Sequence, residues 1–146
     1  MNRDLIFGPV LVQVALTLFV YVALIKTKIR AMRAGKVDMA RRALHDDAWP
    51  DDVMQINNNI RNQFELPVLF YVLCSMLWAL HAVHWLALIA ATVFVVSRIV
   101  HVYIHIGANY VPARRQAFTV GWYALAAMTL LVTLELGRRL MGYGPT

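Results

Sequence analysis

The sequence predicts an all-α integral membrane protein built as a four-helix bundle. Three observations carry that reading. Four apolar stretches each approach the roughly 20 residues a helix needs to cross a ~30 Å hydrocarbon layer. Apolar residues make up 60% of the 146, and charged ones 15%, whereas a soluble domain is about half apolar and about a quarter charged. Mean hydropathy is +0.58. Polar residues also recur at helical spacing within the third stretch and across the start of the second.

The length fits one domain, residues 1–146, with little beyond four helices. The first span is expected at 5–25, interrupted only by Gly8, Pro9, Gln13 and Thr17. It lacks a basic leader beyond Arg3 and a small-residue cleavage site before Lys26, so it reads as a retained helix. Residues 26–62 then form the one sizeable loop. Its first part, Ile29–Leu44, reads as a basic helix. The run Asp46-Asp47-Ala48-Trp49-Pro50-Asp51-Asp52 breaks it, because proline cannot continue a helix. Asp51 or Asp52 can cap a new helix leading into span two at 64–80. That span is the shortest and borrows a turn from Asn57–Gln63. Span three covers 85–106 and span four 117–136. The single cysteine, Cys74, sits mid-span, which excludes an internal disulfide and a cysteine-based metal site.

Basic residues set the expected orientation. Lys26, Lys28, Arg30, Arg33, Lys36, Arg41, Arg42 and Arg61 fall in loop one, and Arg114 and Arg115 in loop three. Only Arg3, Arg138 and Arg139 lie on the other side. The positive-inside bias places both loops in the cytoplasm and both termini outside, in a bacterial inner membrane. The net charge of +6 follows from this bias and from contact with lipid headgroups, and does not suggest nucleic acid.

Asn58, Asn62 and Glu65 share a helical face, with Arg61 beside them, and Arg98, His101 and His105 share another, which Asn109 continues. Ionisable groups inside a membrane cost several kcal/mol unless paired or facing a wet cavity. Glu65 and Arg98 can therefore be a buried ion pair pinning spans two and three, or the two stripes can line a polar cleft. His101 and His105 also have the spacing of two metal ligands, with Glu65 as a third, but the spacing is common and no metal is assigned. Cys74 reads as packing.

Three blocks carry a family resemblance. Arg61-Asn62-Gln63-Phe64-Glu65, followed by Pro67, resembles the R-N-x-x-E signature of the MAPEG family, the membrane-associated proteins in eicosanoid and glutathione metabolism. Arg98-Ile99-Val100-His101 resembles its R-x-x-H, and Pro112-Ala113-Arg114 its P-x-R. The resemblance implies a homotrimer that binds glutathione as co-substrate between subunits near the cytoplasmic face. Arg61, Asn62, Glu65, Arg98 and His101 match glutathione-site or supporting positions, and Lys26 matches a basic position more loosely. Arg114 matches the arginine that stabilises the thiolate.

The chemistry agrees with those roles. Arginines and lysines can hold the two carboxylates of glutathione, and Glu65 its amine. A cation beside a thiol of pKa near 8.5 raises the thiolate fraction at neutral pH. The bilayer would deliver an apolar substrate laterally. This chain departs from the family pattern in four places. Asn58 replaces an arginine, His105 a tyrosine, and Phe118 an aromatic hydroxyl, while Pro67 follows Glu65 more closely. His105 can still donate a hydrogen bond to sulfur. The expected function is thus a glutathione-dependent transferase or peroxidase acting on apolar electrophiles or lipid hydroperoxides. The alternative is a non-catalytic member that binds lipid or assists a membrane complex.

Overall fold

A computed structural model describes residues 1–142. It is 80% helical, and no strand occurs among the described residues. A 3-10 turn, Arg3–Ile6, leads into α1, Phe7–Arg33. The helix runs past the expected Ile25 and then stops within the stretch expected to stay helical to Leu44. Gly35 is the reason. It adopts φ +64, which glycine enters without steric cost. Its N–H bonds the Met32 carbonyl at 3.1 Å, and the Lys36 N–H bonds that of Ala31 at 3.1 Å. This pair of reversed bonds is the Schellman termination.

Residues 34–50 fold back as turns, with Val37 and Ala48 buried. Helix α2 is Asp51–Gln63. Pro50, and not Asp51 or Asp52, takes the cap position. Both aspartates fall in the first turn, where the helix dipole favours negative charge.

Helix α3, Leu66–Ala79, is separated from α2 by a break at Phe64–Glu65. Pro67 explains the break: it has no N–H for the Gln63 carbonyl, and its ring clashes there. The 14 residues of α3 span only about 21 Å, so its limb of the bundle needs α2 as well. Helix α4, Trp85–Ile106, has the expected limits, and α5, Val111–Leu140, extends the expected span at both ends. The segments Arg3–Arg33, Trp85–Ile106 and Val111–Leu140 are each long and apolar enough to cross a membrane. Their outer faces expose Leu11, Leu18, Phe19, Leu86 and Leu130. Such a surface is a liability in water and a contact surface in lipid.

Helices α4 and α5 form the most extensive pairing. Gly121 permits their close approach, since a Cβ there would lie 2.7 Å from Ser97 Oγ. Two apolar clusters result. One packs Phe70, Cys74, Leu77, Phe94 and Met128, with the Phe70 and Phe94 rings stacked at 4.5 Å. The other packs Val20, Leu24, Val37, Val53, Ile56 and Val102. Along α4, Arg98 and His101 fall between Val95 of the first cluster and Val102 of the second. Along α1, Gln13 falls between Ile6 and Val20 in the same way.

Candidate functional site

The break before Pro67 leaves carbonyls at the C-terminal end of α2 without helical partners. Arg98, fully buried, donates from Nη2 to one of them, the Asn62 carbonyl, at 2.9 Å. A cation at a helix C-terminus also complements the dipole. The guanidinium lies 5.8 Å from the Phe118 ring centroid. Its Nε and Nη1 find no partner within the chain. Of the two readings of the stripes, the Glu65–Arg98 ion pair does not occur among the described residues. Once the helix breaks, Glu65 leaves the face of Asn58 and Asn62 and becomes exposed, and among the described residues no carboxylate reaches Arg98 at ion-pair distance.

The Asn62 side chain joins the two histidines. Its Nδ2 lies 3.4 Å from His101 Nε2 and 3.3 Å from His105 Nδ1. His101 Nδ1 lies 3.2 Å from the Arg114 carbonyl. A carbonyl can only accept, so the tautomer follows from the partners: His101 carries its proton on Nδ1 and accepts from Asn62 at Nε2. His105 then accepts at Nδ1, leaving its proton on Nε2. Gln55 donates to the His105 and Gly107 carbonyls at 2.7 and 2.9 Å, tying α2 to the end of α4. Asn109 does not continue the stripe, because α4 ends at Ile106 and Asn109 turns to φ +50. Its Oδ1 instead accepts from Arg114 Nη1 at 2.5 Å.

These residues border a cleft of about 340 Å³ lined by Asn62, Glu65, His101, Val111, Arg114, Arg115 and Phe118. Of the residues singled out in the sequence, Asn62, Glu65, His101 and Arg114 thus meet at one opening. Arg98 lies against Phe118 and Asn62, and His105 reaches Asn62 without lining the cleft. Arg61 is drawn to the loop by Asp46, at 2.5 Å. Lys26 lines a separate surface depression with Ile29, Arg30, Arg33 and Ala34. Tyr103 and Tyr110 are 79% and 64% exposed and do not line this cleft. Among the described residues no three of His, Cys, Asp and Glu come together as a metal site.

Sequence reasoning gave no site role to Arg115, which lines the cleft, or to the buried chain of Gln13, Gln63 and Asn59. In that chain Gln13 donates to Gln63 at 3.0 Å, and Gln63 to Asn59 at 3.0 Å. Gln63 and Asn59 are four apart on α2, so the face was legible, but not the choice of Gln13 on α1 as partner.

A four-helix integral membrane protein with a cation-lined polar cleft beside the α4–α5 turn is the class that fold and site define. Within that class, the MAPEG family model matches residues 6–134, and the chain belongs to this family. The family is generally associated with glutathione. No curated protein and no solved structure is significantly similar to the chain.

Proposed function

We propose that this protein, acting as a homotrimer, is a glutathione-dependent transferase or peroxidase for apolar electrophiles or lipid hydroperoxides. The observation that carries this reading is the cleft itself. Two arginines, one carboxylate, an amide and an imidazole surround a space of about 340 Å³ in a lipid-facing bundle. Arg115 suits a carboxylate of the tripeptide, and Glu65 its amine. Arg114 supplies positive charge for a thiolate once Asn109 shares it. Arg61 and Lys26 point away from the cleft of their own chain, which leaves them to act at a neighbour's site in a trimer.

The whole chain acts as one transmembrane unit in this reading, with loops one and three in the cytoplasm of a bacterial inner membrane. Cysteines at Gly35 and Asp47 should label only from the cytoplasm, and native Cys74, being buried, should stay silent. Tyr143, the outer position suggested by the sequence, lies outside the described residues, so Gly142 serves in its place. Labelling of Gly142→Cys from the cytoplasm would invert the orientation.

A second reading, a non-catalytic member, is favoured by one feature. Phe118, at a position where an aromatic hydroxyl can occur in the family, walls the cleft, and His105, at the position of the tyrosine that meets the thiol, does not line it. Calorimetry with glutathione on the purified trimer separates the two. Binding near one molecule per chain, together with a thiolate absorbance, supports the enzyme. No heat at millimolar glutathione counts against it.

A further inference from the structure

Loop one holds a second polar pocket, which shares no lining residue with the cleft. It measures about 200 Å³ and includes Lys28, Arg42, His45, Asp46, Trp49 and Asn57 in its lining. That is smaller than the ~300 Å³ at which pockets for drug-sized molecules begin, so a single small ionic group suits it. We propose that this pocket binds a phosphate group, as a phospholipid headgroup or as free phosphate.

The charge balance points to an anion. Lys28, Arg42 and His45 form no ion pair among the described residues. The one carboxylate in the lining, Asp46, is paired with Arg61 at 2.5 Å. The pocket therefore presents uncompensated positive charge. It is also built in place. Trp49 donates from Nε1 to the Arg42 carbonyl at 3.2 Å, and the Lys28 ammonium sits 4.6 Å from the Trp49 ring centroid. One aromatic thus contacts both the segment bearing Arg42 and the ammonium of Lys28. The Asp38 N–H bonds the Ala48 carbonyl at 3.0 Å, closing the loop that forms the wall.

Depth agrees with the chemistry. Lys28 lies roughly 32 Å along α1 from Phe7, about where a ~30 Å hydrocarbon layer gives way to headgroups. Tryptophan favours the same level. A guanidinium and an ammonium together hold phosphate through charge-assisted hydrogen bonds.

The test measures the unfolding temperature of the full-length protein in neutral detergent, titrated with three probes. Phosphatidic acid carries the phosphate, diacylglycerol has the same chains without it, and inorganic phosphate has no chains. Phosphatidic acid should stabilise and diacylglycerol should not. Lys28→Gln and Arg42→Gln should each weaken the half-saturation concentration about tenfold, as expected for one charge-assisted bond. Arg42→Lys should restore part of it. Arg33→Gln, at the same basic end but outside the pocket, should change nothing. Far-UV circular dichroism checks that each variant is folded, and Arg42 lies in an exposed turn that should tolerate change. Stabilisation by inorganic phosphate as well assigns the site to the free anion, and stabilisation by phosphatidic acid alone assigns it to the headgroup. Equal effects of phosphatidic acid and diacylglycerol, equal losses in Arg33→Gln and Arg42→Gln, or no stabilisation by either phosphate probe would each overturn the proposal.

Discussion

Around Phe70 and Phe94 the bundle buries almost nothing but hydrocarbon, whereas one turn further along α4 it buries Arg98, His101 and His105. Both regions are closed to solvent, and they are held by different forces. The aromatic half relies on contact at close-packed density, where each lost atom removes dispersion energy. The polar half relies on hydrogen bonds that must be complete, because lipid offers no replacement. They are not complete. Gln13 Oε1, Asn59 Nδ2 and two nitrogens of Arg98 lack partners within the chain. The aromatic half is complete in its packing, and the polar half keeps hydrogen-bonding capacity that the described residues do not use.

The largest expected effect lies in the aromatic half. Phe70→Ala should cost about 3–5 kcal/mol of stability, read as a lower unfolding temperature, and should leave glutathione affinity intact. A parallel loss of binding would mean the halves are not separable.

Next comes Arg114→Ala, with the opposite signature. Turnover should fall on the order of 10²-fold, or about 2.7 kcal/mol, with little change in unfolding temperature. The thiolate absorbance of the glutathione complex should titrate below the ~8.5 of a free thiol in wild type and shift upward in the variant. Arg114→Lys should retain part of the rate. His105→Phe asks whether that imidazole replaces the family's phenol. A thiolate pKa unchanged in both variants, with wild-type turnover, would remove them from the mechanism.

Smaller still is Arg98→Leu, which strands the Asn62 carbonyl and should cost about 1–3 kcal/mol. Glu65→Gln should stay within about 0.5 kcal/mol, since Glu65 is exposed and unpaired. Their combination should depart from additivity only by the small coupling left to charges beyond ion-pair distance. Recovery of stability in the double variant would restore the ion pair that the geometry lacks.

The smallest effect belongs to loop one. Arg41 donates to Asp47 at 2.8 Å, and this hydrogen bond holds the Asp47 carboxyl below its usual range. A lowered folded pKa contributes stability above the unfolded value of ~3.9 and loses it as pH falls through the folded one. Wild type should therefore unfold slightly above Asp47→Asn at neutral pH, and the two should converge in strong acid.

Much of this was legible in the sequence, and for a physical reason. Span existence depends on local hydropathy and length, so the limits of α4 came out directly. The three motif blocks likewise led to the family. Helix ends depend on single residues, here Gly35 and Pro67. Gly35 stops the basic helix at Arg33, and Pro67 breaks the helix that would have carried Asn62 and Glu65 on one face. What the sequence determined by itself was the set of polar residues that a membrane protein must satisfy. Only the tertiary structure decided how they pair. Periodicity places residues on a face of their own helix, but the rotation and depth of the neighbouring helix choose the partner. Arg98 therefore caps the broken end of α2 instead of meeting Glu65, Arg61 turns to Asp46, and Arg115 enters the cleft.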